Sequence, residues 1–322
     1  MKFLFPFLFS FLTCVIAIFF LLRTRFLRFN LKKRLGGTVV IAVFVLLVLV
    51  DKNIVVTKPI AGILIGGFLC LFFGLWDDLK NLNWKWQLFF QIIIALGAIS
   101  FGVRSEFITN PLGGVILLTS PIIYTILYAL YFILFINSTN WLDGVDGLAG
   151  SVTLVALGAI FFLSLLPHVN QPAVAILAAI AGGATLGFLV FNWHPARIMA
   201  GTSGAWFFGF LLASLSIFAG AKIATVLMAT LIPILDFANV IGERYRAGQS
   251  VFSGGDNRHL HHKLLKLGLK ESQIVFLVGT ASVLIGALAL AFDAKGKAIL
   301  LVAVALIYFL IVPKNKWKRE GR

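Results

Sequence analysis

Long apolar blocks run through this chain, separated by short polar stretches. Block lengths and breaks predict spanning helices near 3–22, 35–50, 59–76, 88–103, 121–137, 148–166, 172–191, 204–220, 223–242, 273–292 and 297–313. The expected fold is all-α: a polytopic membrane protein with about 10–11 transmembrane helices, forming one domain over residues 1–322. The first block is followed by Arg23, Arg25 and Arg28. A signal peptide has a shorter apolar core and carries its charge ahead of it, so this block reads as a retained helix.

Composition agrees. The chain is 60% hydrophobic and 12% charged, with a mean hydropathy of +1.02. Soluble domains carry about 25% charged residues, so the bilayer is the expected solvent. Cys14 and Cys70 both lie inside apolar blocks and suggest neither a disulfide framework nor a metal site.

The net charge of +15 would point to nucleic acid in a soluble protein. Here the cations sit in alternate loops, which points to membrane orientation instead and excludes a nucleic-acid partner. One set of loops lies near 23–36, 77–87, 138–147, 192–203 and 243–272, followed by the C-terminal tail. Of the 27 Lys and Arg residues, the opposite set and the N-terminus hold 7, which leaves 20 in the first set. The positive-inside rule puts that first set in the cytoplasm, with the N-terminus outside and the C-terminus inside. The same side collects Asp77, Asp78, Asp143, Asp146, Asp236, Glu243 and Asp256, with His194, His259, His261 and His262. Ionisable groups beside membrane segments are costly and are candidates for function.

Four stretches carry the chemistry. GLWDDLKNL puts Asp77 and Asp78 together at a helix end, where a hard divalent cation would relieve their repulsion. NSTNWLDGVDGLAG spaces Asn137, Asn140, Asp143 and Asp146 by three, which on a helix makes one polar stripe. Gly144 and Gly147 would let the backbone bend or a ligand approach closely. FNWHPARIMAGTSG offers Asn192 to a base or sugar and Arg197 to phosphate. Its Gly201–Gly204 stretch opens a helix, a place where amides bind anions. GGDNRHLHHKL holds Asp256, Arg258, His259, His261 and His262, suited to phosphate oxygens. Zinc is the competing occupant for those histidines, and the lack of a nearby cysteine argues against it.

These stretches, with PILDFANV and with Gln91 after the DD pair, resemble the polyprenyl-phosphate N-acetylhexosamine-1-phosphate transferases (glycosyltransferase family 4). The HLHHKL form, with Asp256 before it, looks more like the undecaprenyl-phosphate GlcNAc-1-phosphate branch than the phospho-MurNAc-pentapeptide translocases. The resemblance implies a Mg²⁺-dependent enzyme, with Mn²⁺ as a substitute metal. It would move a sugar 1-phosphate, GlcNAc by default, from a UDP-N-acetylhexosamine to a polyprenyl phosphate. UMP would leave, and the product would feed cell-envelope glycan synthesis.

On this pattern Asp77, Asp78 and Asp143 are catalytic and metal-binding, Asp146 and Asn192 contact uridine, and His259, His261 and His262 contact phosphate. Asn137, Asn140, Arg197, Asp256 and Arg258 complete the expected substrate site. The expected setting is the plasma (inner) membrane with the site facing the cytoplasm, and a second copy of the chain is a candidate partner.

Three positions depart from the pattern. Thr202 stands where a metal-binding Asp is usual, Met199 where an aromatic is usual and Gln87 where a Lys is usual. A hydroxyl is a far weaker Mg²⁺ ligand than a carboxylate. A catalytically impaired homologue is therefore one alternative. A lipid-phosphate transporter or flippase is another, although its charges would be expected nearer mid-membrane.

Overall fold

The computed structural model describes residues 1–24, 33–218, 223–250 and 258–312. Thirteen helices lie in these residues: α1 Leu4–Arg23, α2 Gly36–Val50, α3 Lys58–Lys80, α4 Trp84–Ser100, α5 Pro121–Leu142, α6 Leu148–Leu165, α7 Pro172–Asn192, α8 Gly201–Phe218, α9 Ile223–Ala229, α10 Leu231–Arg246, α11 Leu260–Lys266, α12 Glu271–Ala291 and α13 Ala294–Ile311. A two-stranded antiparallel hairpin, β1 Phe107–Thr109 and β2 Val115–Leu117, is the only sheet among the described residues.

Helix starts follow local chemistry. Pro sits in the first turn of α3, α5 and α7, where no amide partner is lost. The Asn83 side chain caps α4 by accepting from the Lys85 and Trp86 amides.

Eight helices are long and apolar enough to cross a membrane, nine if α9 and α10 form one bent span. The apolar helices α2 and α4 are shorter, at 15 and 17 residues. All eleven expected apolar segments are therefore helical, and the chain is an all-α polytopic membrane protein.

The expected continuous helix over 223–242 is instead broken, with α9 and α10 bent by 77°. Pro233 explains the break. It has no amide to offer Ala229, and its ring clashes with that carbonyl. Past the bend, α10 runs on to Arg246.

At the centre stand α7 and α8, whose apolar windows are 89% and 83% buried, against 6% for α13 at the periphery. Helix α8 packs on α2, α3, α5 and α6. Its Trp206, Phe207, Phe208 and Phe210 join Phe44, Phe132 and Phe188 in the main core. Most outward faces are apolar, as a lipid-facing surface requires. The polar groups gather where α3, α5, α7 and α10 end and α2, α4, α6 and α8 begin.

Candidate active site

A cleft of about 350 Å³ opens at that polar end. Its lining includes Arg34, Asp78, Asn140, Asp143, Thr202, Arg244, His259, His261 and His262, drawn from five separate chain segments.

One wall is acidic and is built on the first turn of α8. The Thr202 amide donates to both Asp78 oxygens, at 3.1 and 3.0 Å. Arg34 reaches Asp78 at 3.4 Å. Backbone pairing fixes that arginine's segment: Gly36 and Gly37 donate to the carbonyls of Met199 and Ala200, and Met199 donates to that of Lys33. Gly201 has φ +68, and a side chain there would collide with the Arg34 carbonyl and Asp78. The sequence points to the amides of 201–204 as sites for a ligand anion; in the structure they hold the protein's own carboxylates. A carboxylate at a helix N-terminus is favoured by the helix dipole.

Asp143 sits just past α5 and is half-buried at the cleft. Burial, and then the charge of Asp78, push its carboxyl up to about 8. The Gly201 amide and Arg34 offset part of this. The wall is thus short of positive charge, and its donors are carboxylate oxygens. That donor set fits a hard divalent cation such as Mg²⁺, with Asp78 and Asp143 facing the space.

Asp77 lies behind the wall and does not line the cleft. Its Oδ1 accepts from the Leu82 amide at 3.0 Å and from Gln87 Nε2 at 2.9 Å. Its Oδ2 accepts from the Thr202 hydroxyl at 2.7 Å.

The opposite wall is basic and aromatic. His259 Nδ1 is 3.1 Å from Asp236 Oδ2. Asp236 Oδ1 also accepts from the Leu260 amide and the Tyr308 hydroxyl. The His259 ring lies parallel to that of His261, with centroids 5.5 Å apart, and stands edge-on to Trp141 at 4.7 Å. Arg244 lies over the Trp141 ring at 5.0 Å. Burial, then the neighbouring His262 and His259, push His261 down to about 4, so it is neutral at pH 7. Gly144 lets this wall close on the acidic one, because a Cβ there would come within 2.9 Å of His261 Nε2.

The expected polar stripe over 137–146 is divided. Helix α5 ends at Leu142, and Gly147 has φ +80, so the helical register is lost between Asp143 and Asp146. Asn140 and Asp143 face the cleft. Asn137 instead donates to Gln91 Oε1 at 2.7 Å. Asp146 turns to the loop after α7, accepting from the Ala196 amide at 2.9 Å and meeting His194 Nδ1 at 3.1 Å.

Glu271 joins Asp146 and His194, their ligand atoms all within 4.8 Å of one another. Asn192 is buried and clamps two loops through the Gly147 amide and the Ile198 carbonyl. Arg197 is exposed and Arg258 contacts Gln249; neither lines the cleft. Asp256 lies outside the described residues.

Trp141 and Arg244 were not singled out from sequence, and Asp236 was counted only among the acids of the polar face. Asp236 carried a usable signal, a lone acid in the apolar run LIPILDFANV.

The comparisons with known proteins fit this geometry. The chain is 31% identical over 252 residues to a decaprenyl-phosphate N-acetylglucosaminephosphotransferase of Mycobacterium leprae, a match covering 70% of the chain and 63% of that relative's length. It is 28% identical over 297 residues to the Mycolicibacterium smegmatis protein of the same name, covering 84% and 73%. A probable undecaprenyl-phosphate N-acetylglucosaminyl 1-phosphate transferase of Bacillus subtilis is 25% identical over 257 residues, covering 76% and 70%. Residues 60–220 match the family profile of glycosyl transferase family 4, and that stretch includes both the DD pair and the split polar stripe. The chain belongs to glycosyl transferase family 4.

Proposed function

We propose that the chain transfers N-acetylglucosamine 1-phosphate from UDP-N-acetylglucosamine to a polyprenyl phosphate, releasing UMP. The observation that carries this reading is the pairing of walls: carboxylates Asp78 and Asp143 face Arg244, His261 and His262 across one cleft at the ends of membrane helices. Named relatives act on decaprenyl and undecaprenyl phosphates with N-acetylglucosamine phosphate.

The reaction forms a bond from an oxygen of the lipid phosphate to the sugar-linked phosphorus. The bond from that phosphorus to the UMP oxygen breaks, and its electron pair leaves with UMP. A phosphate monoester has a second pKa of about 6, so the nucleophile is already anionic at neutral pH and no base is required. Asp78 and Asp143 would hold Mg²⁺, which supplies charge stabilisation to the pyrophosphate. Arg34 and Arg244 bring positive charge to the cleft, and neutral His261 presents a ring N–H donor to a phosphate oxygen. Asp146, held against the loop after α7, would meet the nucleoside on the family pattern.

The lysine and arginine asymmetry supports a cleft on the cytoplasmic side of the plasma membrane, where nucleotide sugars are available. The product, a polyprenyl-diphospho-sugar, would remain in the membrane for envelope glycan assembly.

The test is UMP release from several UDP-sugars with undecaprenyl phosphate, with and without Mg²⁺. Release that requires both lipid and Mg²⁺ is expected. No release from any donor would sink the enzyme reading. Lipid movement in sealed vesicles without UMP release would favour a transporter, a reading to which the broken α9–α10 pair lends some support.

A further inference from the structure

Two of the three departures from the family pattern, Gln87 and Thr202, meet at one carboxylate. They are 115 positions apart in sequence (202 − 87), yet Gln87 Nε2 donates to one oxygen of Asp77 at 2.9 Å and the Thr202 hydroxyl to the other at 2.7 Å. With the Leu82 amide at 3.0 Å, Asp77 has three neutral donors and is buried. The same residues knit the surrounding backbone. The Asn81 amide donates to the Asp77 carbonyl, and Gln87 also donates to the Leu82 carbonyl. The Thr202 amide, next to the donating hydroxyl, grips Asp78. One residue therefore orients both adjacent acids.

We propose that Gln87 and Thr202 form a charge-neutral clamp that turns Asp77 into a positioning residue and leaves the cation to Asp78 and Asp143. Two neutral side chains here, in place of an acid and a base, leave the formal charge summed over positions 77, 78, 87, 143 and 202 unchanged. In a low-dielectric site that balance matters, because a lone added carboxylate beside two others repels them strongly. The proposal rests on the transferase reading for its catalytic consequence. It stands apart from that reading in its structural and metal-binding consequences.

The test is a cycle of variants in the purified full-length chain, read by UMP release, by Tm, and by direct Mn²⁺ binding followed by electron paramagnetic resonance. Thr202→Asp removes a donor and adds a charge. It is expected to lower Tm and to cut UMP release about tenfold or more. Gln87→Lys added to Thr202→Asp is expected to restore most of both. Thr202→Val frees one Asp77 oxygen, which can then reach the cation; Mn²⁺ binds more tightly and kcat falls more than KM changes, while Thr202→Ser keeps wild-type values.

Thr202→Asp that raises turnover and Mn²⁺ affinity with no loss of Tm would overturn the clamp, making 202 simply a vacant ligand position. Thr202→Val that lowers Tm but leaves Mn²⁺ affinity unchanged would also overturn it. If the wild type releases no UMP, the transferase reading fails, and the Tm cycle and Mn²⁺ affinities still decide the clamp.

Discussion

The two walls of the cleft are built differently. On the acidic wall, Asp78 is held by the α8 backbone, and Asp77 by one amide and two neutral side chains. Its supports, α3 and α8, are long helices packed on each other. The histidine wall stands on α11, a helix of seven residues, and is held by two carboxylates, Asp236 at His259 and Glu243 at Lys263, and by ring contacts through Trp141. Backbone donors cannot be mutated away, so the acidic wall answers mainly to changes in charge. The histidine wall rests mainly on side-chain carboxylates and ring contacts, so it answers to loss of a ring or of Asp236.

The sharpest way to separate the walls is Asp143→Asn. UMP release should fall by about 10²–10³-fold, since a charge-stabilising group facing the reaction is lost. Stability should move the other way. With its pKa raised to about 8 in the fold, Asp143 disfavours the folded state increasingly as pH rises from the ordinary carboxylate range toward 8. In EDTA at pH 8 the variant should therefore have the higher Tm. A lower Tm would show that the carboxylate is a structural partner instead.

Asp236→Asn attacks the other wall. It should lower both Tm and turnover, the latter by about 10²-fold, as expected when a catalytic group is misplaced by about 1 Å. Steady-state kinetics with a parallel melting curve would check this, and unchanged turnover would remove Asp236 from the site's architecture.

A third effect follows from pH. Cation binding needs Asp143 ionised, so Mn²⁺ affinity should rise about tenfold per pH unit up to about 8 and then level off. Mn²⁺ titrations between pH 6 and 9 would show it, and a flat profile would take Asp143 out of the ligand set. His261, pushed down to about 4, should add no step between pH 5 and 8. The smallest change is Trp141→Leu, which removes the edge contact to His259. Ring contacts of this kind are worth about 0.5–1.5 kcal/mol, so kcat/KM should fall roughly 2–10-fold.

Much of this molecule was readable along the chain. Apolar blocks are a local property, and each of the eleven forms helix. The motif residues Asp78, Asn140, Asp143, His259, His261 and His262 were named from polar groups that membrane segments rarely tolerate, and the fold gathers all six into one cleft. The break between α9 and α10 was also written in the sequence, at Pro233, although an unbroken apolar run masks it.

What tertiary structure alone decided is which partner each polar group takes. Asn137 pairs with Gln91, Asn192 clamps two loops, and Asp146 leaves the stripe for His194. Asp77 meets Thr202 across 125 residues, and Tyr308 reaches Asp236 across 72. The physical reason is range. Helix and membrane preference are set by side chains a few residues apart, whereas a carboxylate's role is set by the donors that packing brings within 3 Å. Read from sequence, the polar end of the chain is a list of acids and histidines. The packing of α8 against α3 is what makes Asp78 face the cleft and Asp77 face away.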